Sequence, residues 1–217
     1  YISDEQACDT LLSNLDTKPL GDPKLIKFTT GRRRKQWYKN VVAVGLSSGF
    51  LEPLESTSIH LIQSAIVRLI QLFPHNGFVP CLETEYNKQS ELEFEQIRDF
   101  LVLHYTVNER TDSAFFNDMR NITLPDSLAH KIALFKESGN LLREQNDLFL
   151  ESSWLQVLYG QGITPKDYHG LVNSVPEVQL NQMLTRLLEI KKEPIAKLPT
   201  HDEYINGMVA KYKRAMS

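Results

Sequence analysis

A chain of 217 residues with 41% hydrophobic and 24% charged side chains has room for one large domain or one and a half, with enough apolar content for a proper core. A formal charge of -3 excludes a general electrostatic attraction to nucleic acid, and the lone Cys8 and Cys81 indicate neither a metal site nor a disulfide framework. No apolar run reaches the ~18 uncharged residues of a membrane span and no signal peptide is visible, so a cytoplasmic location is the default.

The chain starts at Tyr1 without an initiator methionine, and Ser3 with Gln6 forms a capping-box pattern for a helix to about Leu15. After Pro23, the alternation Leu25-Ile26-Lys27-Phe28-Thr29 predicts a strand over Lys24–Thr30. Gly31-Arg32-Arg33-Arg34-Lys35 then turns the chain. It reads first as a solvated charged turn, next as a partner for an anionic cofactor or a neighbouring acid, and last as a nucleic-acid contact. Trp37 is a core residue. Val41-Val-Ala-Val44 is short and β-branched, as in a buried strand of the parallel-sheet kind.

Gly45-Leu-Ser-Ser-Gly49-Phe-Leu-Glu-Pro53-Leu-Glu55-Ser-Thr-Ser58 follows, and Ile59, Ile62, Ile66, Leu69, Ile70 and Phe73 then recur at helical spacing up to the breaker cluster Pro74-His75-Asn76-Gly77. Strand, glycine turn and helix in that order have two readings. One is a plain connection with Ser56 or Thr57 as N-cap and Pro53 stiffening the approach. The other is an anion cradle, because glycines let a ligand approach the backbone and a helix N-terminus offers free N–H groups. Glu52 and Glu55 beside it then either complement the helix dipole or act as catalytic carboxylates. His60, lacking a second ligand at metal spacing, is a structural or capping histidine.

Ser90 with Glu91 and Glu93 predicts a helix to about Val107, placing Phe94, Ile97, Leu101 and Tyr105 on one face and His104 beside its end. A short helix from Asp112 carries Phe115 and Phe116, read on spacing as core aromatics. Pro125–Ser138 is a helix ended by Gly139. Ser152 and Ser153 cap a segment holding Trp154, read as a buried indole satisfied by a neighbouring carbonyl, and Gly160-Gln161-Gly162 breaks it. Ser174 and Pro176 start a helix with Leu180, Met183, Leu184, Leu187 and Leu188, and Asp202 to about Lys213 forms a last one that buries Ile205, Met208 and Tyr212.

Trp37 to Ile59 closely resembles the block W…N.VA.GL..GFLEPLEST.I of the flavin-dependent tryptophan halogenases. Phe149-Leu-Glu-Ser-Ser-Trp154-Leu-Gln-Val-Leu-Tyr-Gly160-Gln-Gly162-Ile-Thr-Pro165 is similar to a second stretch of that family in the same order. No GxGxxG occurs in the chain, so the resemblance implies the C-terminal part of a longer enzyme. The fold it implies is α/β: residues 1–80 as the closing part of a flavin monooxygenase-like FAD domain, and 81–217 as a mostly helical substrate-side and C-terminal module.

The implied reaction is halogenation of an electron-rich, indole-like aromatic. Reduced FAD and oxygen convert chloride or bromide to hypohalous acid, with a separate flavin reductase as partner and a homodimer left open. The resemblance makes Glu55 a general base or polariser with Ser56 beside it, puts Gly45, Gly49 and Ile59 along the flavin, and gives the halide the backbone N–H groups of Thr57 and Ser58. His104, Tyr105, Phe115 and Phe116 would meet the substrate, with Phe116 replacing a tryptophan of the tryptophan-binding members. Thr111 stands where those members carry an acid for the substrate ammonium, with Glu109 and Asp112 flanking, which argues against free tryptophan. A flavin monooxygenase without halogenation and a non-catalytic flavin-fold binding protein are the alternatives.

Overall fold

The computed structural model describes residues 1–144 and 147–216. Its elements in chain order are α1 (Asp4–Ser13), β1 (Gly31–Arg32), β2 (Trp37–Tyr38), β3 (Val41–Val42), β4 (Gly49–Phe50), α2 (Ser58–Leu72), α3 (Pro80–Thr106), α4 (Ala114–Met119), α5 (Asp126–Ser138), α6 (Glu151–Gly160), α7 (Glu177–Lys197) and α8 (His201–Met216). The chain forms two units, Tyr1–Asp167 and Tyr168–Ser217. Among the described residues, no helix is long and apolar enough to cross a membrane.

The first unit is built on α3, whose 27 residues begin with Pro80 at a first-turn position where the missing N–H costs nothing. One stretch of α3 packs Phe94, Ile97 and Leu101 against Leu61 of α2. The next packs Phe100 and Leu103 against Leu128, Ile132 and Phe135 of α5 and Trp154 and Leu158 of α6. The predicted start at Ser90 is therefore corrected. Ser90 is 1% exposed in mid-helix and its Oγ accepts from Arg68 Nη1 at 2.7 Å. Ser, Glu and Glu imitate an N-terminus, while the true signal was the proline ten residues earlier.

The expected α/β character reduces to two ribbons in a mostly helical unit. Trp37↔Val42 and Tyr38↔Val41 pair antiparallel around a two-residue loop, and Gly31↔Phe50 and Arg32↔Gly49 pair antiparallel as a second ribbon. Val41–Val44 is thus not a buried parallel strand: Val41 is 63% exposed and pairing stops at Val42. A β-branched run fixes extended backbone but not its partner, and here the partner is the adjacent hairpin arm. Lys24–Thr30 forms no strand, because only Gly31 and Arg32 find a partner edge.

The hairpin is fastened to α3 by Asn87. Its Oδ1 accepts from the N–H of Gln36 at 2.7 Å and of Trp37 at 2.9 Å, while Nδ2 donates to the carbonyls of Trp37 at 2.8 Å and Glu83 at 2.9 Å. Trp37 is buried, as its sequence context predicts, with Nε1 donating to Lys39 O at 2.8 Å. The basic turn meets neighbouring acids: Arg32 pairs with Glu91 and Glu95, Lys35 with Glu83.

Gly49 has no room for a side chain, since a Cβ would lie 2.8 Å from Gly31 O, 2.9 Å from Arg32 Cα and 3.0 Å from Phe94 Cε1. Two of those neighbours are backbone. Gly49→Ala is expected to cost about 1–3 kcal/mol of stability, read as a lower urea midpoint; an unchanged midpoint would show that the ribbon can move aside.

The α1 helix carries the expected capping box, with Gln6 N donating to Ser3 Oγ at 3.1 Å and Ser3 N to Gln6 Oε1 at 3.0 Å. Helix α5 ends at Gly139 in the left-handed region, at φ 68°. Trp154 is buried, but its Nε1 has no hydrogen-bond partner among the described residues, so the expected carbonyl is corrected. Lys131 Nζ instead lies 4.1 Å from its ring centroid.

In the second unit, α7 and α8 follow a short 3₁₀ turn at Gly170–Ser174, and Thr200 and Glu203 cap α8 reciprocally. Neither helix has a buried residue, which corrects the burial expected for Ile205, Met208 and Tyr212. Two helices within some fifty residues are too few to enclose a core of their own.

Candidate functional site

Gly45 begins the bend with φ +66°, a conformation that L side chains rarely adopt. Ser47 Oγ then donates to Val44 O at 2.8 Å and accepts from Val44 N at 3.1 Å, while Ser48 Oγ donates to Gly45 O at 2.7 Å. The backbone N–H of Arg33 donates to Ser48 O at 2.8 Å, and Arg33 Nε donates to Ser47 O. The serines and one arginine thus set the backbone of the bend. Sequence spacing did not show this.

A 3₁₀ turn at Pro53–Glu55 carries the chain to α2, and Ser56 closes it in the left-handed region at φ 54° and ψ 37°. A non-glycine residue there stores strain of about 1–3 kcal/mol. Thr57 is the N-cap of α2 but its side chain makes no capping bond, so the plain capping role expected for Ser56 or Thr57 is not made. The amide of Thr57 and that of Ser58, first residue of α2, find no acceptor among the described residues, as expected of a helix start. Ile59, one residue on, is 77% exposed, and Ile62, Ile66 and Ile70 lie exposed along the same helix.

Glu55 and Glu52 are both met by the end of α3. His104 Nε2 lies 3.0 Å from Glu55 Oε1, with the side chains 19% and 35% exposed. The next residue, Tyr105, lies beside Glu52. Burial first, then this carboxylate, pushes the Tyr105 hydroxyl above its ordinary range. Glu52 Oε2 is itself buried with no hydrogen-bond partner among the described residues. Consecutive residues of one helix therefore address carboxylates on both sides of Pro53.

Beneath His104 lies an aromatic column. The imidazole meets Phe100 edge to face at 4.8 Å, and Phe100 stacks on Phe149 at 3.9 Å and meets Trp154 edge to face at 4.9 Å. Phe149 and Trp154 come from the second stretch singled out in the sequence. On the other side of Tyr105, Phe115 meets Tyr105 at 5.6 Å, Phe116 at 5.2 Å and Tyr1 at 5.1 Å. Arg110 lies 3.9 Å from the Phe116 centroid and pairs with Asp112 at 2.6 Å. The structure thus clusters Tyr105, Phe115 and Phe116, whereas His104 is turned to Glu55 and the core.

His60, expected to be structural, lies 3.1 Å from Glu93 Oε1. Among the described residues no cluster of His, Cys, Asp or Glu could hold a metal ion.

Two spaces adjoin the bend. A groove of about 550 Å³ is lined by Phe28, Arg33, Leu46, Ser47, Gly49 and Phe50, among others. A chamber of about 70 Å³ lies between Gly45, Gly49, Ser58, Leu61 and Phe94. The first has the volume of a small-molecule site beside the backbone of the bend; the second exceeds the ~15 Å³ that one water-sized particle needs. Ser58 reaches the chamber, while Glu55 lines neither space.

The profile of the tryptophan halogenase family matches residues 1–177. Tryptophan 7-halogenase RebH of Lentzea aerocolonigenes is 26% identical over 215 residues, covering 91% of this chain and 40% of that protein. Among solved structures, Xcc4156, a flavin-dependent halogenase from Xanthomonas campestris, is 42% identical with a TM-score of 0.87, covering 95% of this chain and 42% of the other. BrvH, a flavin-dependent halogenase from Brevundimonas sp. BAL3, is 40% identical with a TM-score of 0.85 at the same coverage. The chain spans about two fifths of the length of these relatives.

Proposed function

Since the chain belongs to the tryptophan halogenase family, we propose that the complete protein is a flavin-dependent halogenase of an electron-rich aromatic, with this chain supplying its acid, its halide turn and one wall of its flavin groove. Residues 1–80 form the cofactor side in this reading, and 81–217 the substrate side with the C-terminal helices. The observation that carries it is the placement of Glu55, held 3.0 Å from His104 and directly ahead of the helix whose first N–H groups belong to Thr57 and Ser58.

Reduced FAD, delivered by a separate flavin reductase in the cytoplasm, supplies with oxygen the oxidising equivalents that convert chloride or bromide to hypohalous acid. The groove beside Leu46–Phe50 has the volume for a tricyclic ring and Gly49 lines it, whereas Gly45 lines the smaller chamber and Ile59 is exposed on α2. Of the three positions expected along the flavin, Gly49 is thus the one that borders the groove. The N–H groups of Thr57 and Ser58 hold the halide without a counter-cation, which keeps it nucleophilic. When the halogen reaches the ring, an electron pair of the ring forms the carbon–halogen bond as the oxygen–halogen bond breaks, and the departing hydroxide takes a proton from solvent to leave as water. The displaced ring proton goes to Glu55, a positioned general base. The Ser56 carbonyl, in its strained turn, orients the substrate.

Tyr105, Phe115 and Phe116 form the aromatic wall for that substrate. An indole without a free ammonium suits it, because Asp112 is already engaged by Arg110 and Thr111 offers no charge. The complete protein with reduced FAD and indole is expected to give a product bearing the halogen isotope pattern in bromide or chloride, detected by mass spectrometry. An oxygenated product that forms regardless of halide would identify a monooxygenase, and no substrate oxidation at all a non-catalytic flavin binder.

A further inference from the structure

His104 has an acceptor opposite each ring nitrogen. Nδ1 lies 2.7 Å from the carbonyl oxygen of Phe100, and Nε2 lies 3.0 Å from Glu55 Oε1. A carbonyl offers only lone pairs, so Nδ1 carries a hydrogen and donates it. In a neutral ring Nε2 would then be bare, turning its lone pair toward those of a carboxylate. At 3.0 Å the contact is attractive as an ion pair, with a proton on each ring nitrogen.

We propose that His104 is a positioning residue of the halogenation reaction, forming an ion pair with Glu55 and so fixing Oε1 while Oε2 is left to meet the aromatic substrate. This rests on the role of Glu55 given above. The imidazole is itself fixed. Phe100 supplies both the carbonyl at Nδ1 and an edge-to-face ring at 4.8 Å, and Phe100 is wedged by Phe149 and Trp154. A ring so engaged on its face and both nitrogens is not free to stack on a substrate. During turnover the ring proton passes to Oε2, and His104 keeps its own. A carboxylate held by one oxygen presents the other in one orientation, and a misplacement of about 1 Å costs about 100-fold in rate.

The test compares His104→Leu, His104→Gln and Glu55→Gln in the complete protein. His104→Leu is expected to lower kcat by about 10- to 100-fold with KM for the aromatic little changed. His104→Gln, whose amide nitrogen can donate where Nε2 did, is expected to recover most of that loss. Nitrogen-15 spectra of labelled histidine give a readout independent of turnover: both His104 nitrogens protonated in the parent, and a bare Nε2 once Glu55 is Gln. An unchanged kcat in His104→Leu, or no rescue by Gln, overturns the positioning role, and a bare Nε2 in the parent overturns the ion pair. Full turnover in Glu55→Gln would instead remove the role of Glu55 itself, leaving the parent spectrum to decide the pairing.

Discussion

Glu55→Gln in the complete protein is expected to lower halogenation turnover by about 10²- to 10⁴-fold, the range that a positioned proton acceptor contributes. The substitution preserves shape, and the amide nitrogen can donate to the His104 Nε2 that is then bare. What is lost is the capacity to take a proton from the ring. Glu55 lies outside the lining of the groove at the bend, so titration with FAD should give nearly the parent affinity. Single-turnover measurement with preformed hypohalous oxidant isolates the step. Unaltered turnover would contradict the assignment of Glu55 as the base.

The largest expected effect on stability lies elsewhere, between α2 and α3. Arg68 and Glu93 are 9% and 8% exposed, and Arg68 Nη2 donates to Glu93 Oε2 at 2.8 Å. The same oxygen accepts from Ser64 Oγ at 2.9 Å. Arg68 also donates to Ser90 Oγ at 2.7 Å and Gln89 Oε1 at 3.3 Å. Arg68→Ala strips a buried carboxylate of its cation and opens a void, for an expected loss of about 3–5 kcal/mol. Urea unfolding of the purified protein measures it, and a loss below ~1 kcal/mol would show that Ser64 and His60 suffice to satisfy Glu93. Replacing both partners by apolar residues of like volume is expected to lose far less, because the cost arises from the uncompensated charge.

Local features were legible in the sequence where a short-range rule governs them. The capping box at Ser3, the C-cap at Gly139 and the helix after Thr57 all follow from residues within one turn of each other. The family block around Gly45–Ser58 marked Glu55 and the start of α2, and the structure sets that glutamate beside His104 just ahead of the helix. Features that depend on distant partners were not legible. Arg68, Glu93 and Ser90 are ordinary surface types in sequence and meet only when α2 lies on α3. The strand predicted at Lys24–Thr30 has a good alternation but no edge to pair with. The pairing of His104 with Glu55 joins residues 49 positions apart, and the one local hint was that both sit at the ends of their elements.

The aromatic column also ties the acid to the protein interior. Trp154 and Phe149 lie away from Glu55, yet through Phe100 they set the height and tilt of the imidazole that faces it, and in the proposed reaction that makes them part of its geometry. Repacking this interior for heat resistance would therefore alter the chemistry as well as the melting point. Directed evolution toward new arenes can find productive changes among residues that never meet the arene.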